Sequence, residues 1–301
     1  MTLSECRAAY EKLSEQAFTP LRSKFNIPAA AWRTWKVSAA FDVNKLEDAI
    51  RSVLAQYGNN CGNPPKEPLL REEVTDPGTI QPCKVYVSLE TAISPPINPF
   101  AIRFVTCTHD DITQLAIFRS YANSTKIRRK VFEQCTILEA CRATSAAPGF
   151  FPPILIGDQG QEFLDGGIKN NNPVDIILSE AKDLWPTRAD DAVLISLGTG
   201  NAPLSAFGDN AKQIVDKLKQ IATETEDTAR TFLEGSGRVM ALNGCYYRFT
   251  VPNLGQIGLE EWKAKRMITS LTENYVDNPE TAPKTQACIE KLSEVAVVGT
   301  S

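Results

Sequence analysis

The chain has 301 residues, 43% hydrophobic and 23% charged, with 32 basic against 36 acidic side chains and a formal net charge of −4. That balance suits a globular protein of one large domain or two small ones, and it disfavours a duplex nucleic-acid binder, which carries a basic excess. No stretch is apolar for long enough to form a transmembrane helix, and the opening MTLSECRAAYEKL lacks the basic-then-apolar pattern of a secretory signal. The eight cysteines therefore read as free thiols of an intracellular, cytoplasmic protein. None forms a CxxC pair, so a structural zinc site has no support.

The first predicted helix opens at once. Thr2 and Glu5 have capping-box spacing, and Leu3, Cys6, Tyr10, Leu13 and Ala17 follow a helical period. A second helix runs through DVNKLEDAIRSVLAQYG. Asp42 or Asn44 caps it, Leu46, Ile50, Val53, Leu54 and Tyr57 form its apolar stripe, and Gly58 stops it. Residues 59–82, rich in Asn, Gly and Pro, read as a surface loop. Three strands are then predicted, in KVYVSLE, AIRFVTCT and TQLAIFRSY. His109, the one histidine, falls in the polar turn between the last two, so any Ser-His-Asp or Cys-His chemistry would have to use it. His109, Asp110 and Asp111 are adjacent at a hairpin tip, where three side chains rarely converge on one metal ion, and they read as a solvated turn.

TILEACRATSAAP predicts a helix with a second capping box, Thr136 and Glu139, ended by Pro148. QEFLDGG reads as a short strand running into glycines. NNPVDIILSEAKDLW reads as a helix capped by Asn172, with Pro173 at its first position and Val174, Ile177, Leu178, Ala181 and Leu184 on one face. AVLISLGTG is continuously apolar up to its glycines, as a parallel strand buried on both faces would be. Strand, helix, strand in that order predicts a βαβ unit. A long amphipathic helix follows in AKQIVDKLKQIATETEDTARTFL. The text from LEEWKAKRMITSL onward is mostly helical, with breaks at Pro279 and Pro283. The alternation of strands and helices gives the α/β class.

Asp165, in EFLDGGIKNNNPVD, is the residue that bears on chemistry. An acid before two glycines is a turn signal, because glycine accepts positive φ. The same acid also stands at the carboxyl end of a strand, where functional groups of open α/β sheets gather, and Gly166 and Gly167 leave room for close approach to its carboxylate. The text upstream, RATSAAPGFFPPI, places small residues Ala143, Thr144, Ser145, Ala146 and Ala147 before a proline, two aromatics and two more prolines. RATSAAPGFFPP, a variable interval and then DGGIKNNNPV together resemble the C-terminal half of the patatin-like lipid acyl hydrolases. IFRSY at 117–121 and LISLGTG fit the fungal branch of that family, and the resemblance covers nearly the whole chain.

The resemblance implies a modified α/β-hydrolase-like sheet flanked by helices. It also implies a Ser-Asp dyad in which Asp165 takes the serine's proton, with no cofactor and no metal. The serine would lie in a G-x-S-x-G elbow, with a glycine-rich loop donating N–H groups to the oxyanion. Neither motif occurs in the 301 residues. The nearest text is EGSGR, where Ser236 stands between glycines at the wrong spacing and after a helix. Ser145 suits packing better than nucleophilic attack, SLGTG lacks the lysine of a phosphate loop, and Cys107 with His109 has no orienting third group.

The chain is accordingly expected to be one patatin-like domain, residues 1–301, that begins after the N-terminal strands, oxyanion loop and elbow. Its substrate class would be a lipid or phospholipid ester met in peripheral contact with a membrane. An open sheet edge would favour self-association. Two other readings stay open at this stage: an inactive patatin fold kept for binding lipid or protein, and an incomplete gene product.

Overall fold

In the computed structural model of the protein, the described residues are 3–20, 39–57, 66, 68, 103–108, 115–121, 134–147, 149–186, 189, 192–201, 224–258 and 261–298. The predicted strand KVYVSLE, nearly all of the predicted loop 59–82, His109, and the predicted helix before residue 224 lie outside them. The chain forms two compact units.

The first unit draws on Met1–Pro77, Ala101–Ala122 and Ile127–Lys169. Helix α1 (Leu3–Ala17) packs on α2 (Val43–Tyr57). In α1, Tyr10 departs from the expected apolar face and is 59% exposed. Ser14 is buried instead, which is tolerable because its hydroxyl donates to the Glu11 carbonyl at 2.9 Å. Of the two caps predicted for α2, Asp42 is the one used: its carboxylate accepts the Asn44 N–H at 2.9 Å. Leu46 and Ile50 of the predicted stripe are buried, and Val53, Leu54 and Tyr57 half-buried.

Helix α3 (Ile137–Thr144) starts with the predicted capping box, both of whose bonds are present. It stops at Thr144, short of Pro148, because Ser145 leaves the helical conformation and its N–H returns to the carbonyls of Arg142 and Ala143. Ala140 and Ala143 are fully buried, and their lack of bulk lets α3 lie close on the sheet beside it. That sheet holds β1 (Arg103–Thr108), β2 (Leu115–Arg119), β3 (Ile154–Ile156) and β4 (Gln161–Asp165) in the order β2-β1-β4-β3, every pair antiparallel. Phe118 of β2 and Phe163 of β4 are fully buried and meet edge to face, ring centroids 5.0 Å apart. Each such ring contributes about 1.5–3 kcal/mol by leaving water. A second ring cluster joins Phe18, Phe41, Phe150 and Phe151.

The second unit takes most of its described residues from Asn170–Ser301. Helix α4 (Gly167–Asn170) ends at its start, and α5 (Val174–Leu184) follows. The cap of α5 is Pro173, one place later than predicted, and it makes no side-chain bond. Asn172 does not cap; its amide side chain accepts from the Ser196 hydroxyl at 3.1 Å. Strand β5 (Leu194–Asn201) runs parallel to β6 (Tyr246–Pro252), with Leu194 opposite Tyr246. The parallel pairing agrees with the apolar run, but the partner does not fit a βαβ unit. Among the described residues β4 and β5 pair in different sheets. Burial on both faces is not met either: Leu194, Ile195 and Leu197 are half-buried, and the buried side chain is the polar Ser196.

The core of this unit joins Val174 and Leu178 of α5 to Phe232, Met240, Cys245 and Tyr246. Phe232 belongs to the helical stretch 224–234, and Met240 to the short α6 (Arg238–Leu242). Helices α7 (Lys265–Val276) and α8 (Ala282–Val298) close the chain. Pro279 lies in the turn between them, as predicted, but Pro283 is inside the first turn of α8, where its missing N–H leaves no bond unmade.

Candidate active site

Asp165 is the last residue of β4 and stands opposite Thr106 of β1. Its N–H donates to the Ala146 carbonyl at 3.2 Å, which ties the strand end to the segment leaving α3. One carboxylate oxygen, Oδ1, accepts the Gly167 N–H at 2.8 Å. An acid bonding the backbone two residues on is an Asx turn, here leading into α4. Asp165 is thus not at a hairpin tip: the chain passes from strand to helix. Neither Gly166 nor Gly167 has positive φ, so a left-handed turn does not explain them. Gly166 is buried, which leaves close packing as its physical role.

The carboxyl of Asp165 is pushed up to about 7 by burial, and the Gly167 N–H pulls it back in part. A carboxylate in that range can accept a proton near neutral pH and release it again, as a general base requires.

Arg142, on helix α3, has a side chain that is 2% exposed. Its Nη2 donates to the Pro152 carbonyl at 2.5 Å, and its Nε is 3.8 Å from Glu47 Oε1 on α2. The other carboxylate oxygen of Glu47 takes Arg51 at 2.7 Å. Sequence reading gave Arg142 no role. Its place as the one basic residue of an otherwise largely small and apolar helix, ILEACRAT, was the available signal.

The other serines considered have structural partners. Ser145 Oγ donates to the Cys141 carbonyl at 2.9 Å. Ser236, exposed, donates to Asp175 at 2.5 Å, a pairing across 61 residues that sequence reading missed. Ser196 sits in a polar network of the second unit, accepting from Arg248 at 2.8 Å while Arg248 also binds Glu226 at 2.8 Å. Gly198 of SLGTG packs directly against Thr250, which fits a strand-end role. Cys135 and Cys141 are pushed up by burial, the latter to about 12, so neither offers a thiolate at neutral pH. Among the described residues no group of three or more His, Cys, Asp or Glu converges as a metal site would require.

A model of the patatin-like phospholipase family matches residues 1–178, the part that contains RATSAAPGFFPP, Asp165 and NNNPV. The chain belongs to the patatin-like phospholipases. Patatin membership fixes the fold class as the patatin-like α/β fold, with which the mixed helices and sheets agree. Among curated proteins, the chain is 23% identical over 270 residues to the calcium-independent phospholipase A2-gamma of Mus musculus and 24% identical over 270 residues to that of Homo sapiens. Each match covers 89% of this chain and 30% of the relative. The protein of the same name from Oryctolagus cuniculus is 25% identical over 182 residues, 60% of this chain and 22% of the relative. The chain therefore spans under a third of the length of these patatin relatives.

Proposed function

We propose that this patatin-like domain, residues 1–301, hydrolyses acyl esters of phospholipids or neutral lipids, with Asp165 as the general base of a Ser-Asp dyad. The observation that carries the reading is Asp165 itself: a half-buried carboxyl at a strand's carboxyl end, raised to about 7, in the DGG motif of the family. The serine hydroxyl would give its proton to Asp165 as its oxygen bonds the acyl carbon. The leaving alcohol would take the proton, and water would release the acid from the serine. The 301 residues contain no G-x-S-x-G, so the serine would come from sequence outside them. The relatives' name marks a calcium-independent phospholipase, which supports a reaction without calcium. Val239 and Leu242 on α6, 66% and 78% exposed, support contact with a lipid surface.

The test is to supply the missing elements. A segment with a glycine-rich loop and a G-x-S-x-G elbow is fused before Met1, and hydrolysis of a short-chain ester is followed. Asp165→Asn is expected to lower the rate by about 10²–10⁴, because the amide keeps the shape but cannot take the proton. His109→Ala is expected to leave it unchanged. Activity lost in His109→Ala and kept in Asp165→Asn would overturn the reading.

The second reading is a patatin fold that binds lipid or protein without catalysis. A folded fusion that binds phospholipid vesicles and cleaves no ester would select it.

A further inference from the structure

The geometry points to Arg142 as a positioning residue for Asp165, acting through the segment 146–153; this rests on the reading of Asp165 as the base. That segment is fastened to β4 at both ends. At its start the Ala146 carbonyl accepts the Asp165 N–H at 3.2 Å. At its end it becomes β3, whose first residue, Ile154, pairs with Phe163. Between these points Arg142 Nη2 holds the Pro152 carbonyl, one residue after Phe151, over whose ring the guanidinium lies at 5.9 Å. Glu47, itself held by Arg51, anchors the guanidinium from α2. A chain of contacts thus runs from α2 through Arg142 to the segment that is fastened to β4 at both ends.

The chemistry of Arg142 argues for more than filling space. Its Nε and Nη1 are buried and donate to no acceptor. Burial also lowers its affinity for its proton, which Glu47 opposes. A buried guanidinium with unused donors is unfavourable, and an apolar side chain of the same length would pack there without that penalty. What the apolar side chain could not do is hold the Pro152 carbonyl in place. Release of that carbonyl would let segment 146–153 move and admit water to the end of β4. Asp165 would then lose part of the burial that sets its protonation.

The test titrates Asp165 by carbon NMR of the aspartate carboxyls, with no turnover needed, so its result is separate from that of the ester assay. In Arg142→Met the Asp165 midpoint is expected to fall by about one pH unit, because burial is what raises it. In Arg142→Lys, which keeps the charge and one donor to Pro152, it should fall less. Unmutated protein weakened to the same extent by urea should show no fall, which separates positioning from general loss of stability. A midpoint unmoved in Arg142→Met overturns the proposal. Hydrogen exchange of the unmutated protein decides if that variant does not fold. The amides of Asp165 and of the β3–β4 pairs should then exchange at one common rate, as a segment clamped at both ends requires. An Asp165 amide that exchanges about ten or more times faster than the β3–β4 amides overturns the proposal.

Discussion

Replacing Asp165 by asparagine should stabilise the protein at high pH and leave it nearly unchanged at low pH. Burial raises the carboxyl from an ordinary 3.8 to about 7 in the folded chain. Between those values the folded state holds a proton that the unfolded state has released, so stability falls as pH rises, by about 1.4 kcal/mol per pH unit. Below the lower value both states are protonated and nothing is lost. Above the upper value the whole penalty is present, about 4 kcal/mol as an upper bound at 1.36 kcal/mol per unit. That is a large share of the usual 5–15 kcal/mol of a domain, by order of magnitude. Asparagine keeps the oxygen that accepts the Gly167 N–H and cannot ionise. Urea unfolding from pH 4 to pH 8 should therefore show wild type losing stability relative to Asp165→Asn across that window. Parallel curves would refute the argument, and so would a wild type that gains on the variant as pH rises.

Other changes test the packing. Gly237→Ala should cost about 1–3 kcal/mol in urea unfolding, because a Cβ there would overlap the ring of Phe232, buried in the core of the second unit. Thr136→Ala should cost about 1 kcal/mol, since it removes the oxygen that accepts the Glu139 N–H at 3.2 Å. Cys135 and Cys141 should resist alkylation at pH 8 in folded protein and react once it is unfolded, as mass spectrometry of the peptides would show, because burial holds both thiols protonated.

The elements legible in the sequence were those set by near neighbours. The box at Thr136 and Glu139, the cap at Asp42 and the strand before Asp165 all depend on residues within a few positions, and each stands where its pattern placed it. What failed to show was set by distant partners. Asn172 looked like a cap because its neighbours are those of a helix start, yet its side chain serves Ser196, 24 residues on. The apolar run of β5 signalled a parallel strand correctly, but nothing in it names β6, whose Arg248 breaks the apolar pattern and is satisfied by Ser196 and Glu226. At the candidate site the motif gave Asp165, while the burial that raises its carboxyl and the clamp by Arg142 exist only in the folded chain.

Strand β3 has one more consequence. Among the described residues it forms an edge of its sheet; it is three residues long and follows Pro152 and Pro153. Leu155 on it is 64% exposed, which would invite a foreign strand. Two prolines in a row offer no amide hydrogen, and so short an edge cannot fix a register, so the backbone is a poor template for one. The prolines that lead the chain into β3 thereby also guard the sheet against growing into an aggregate.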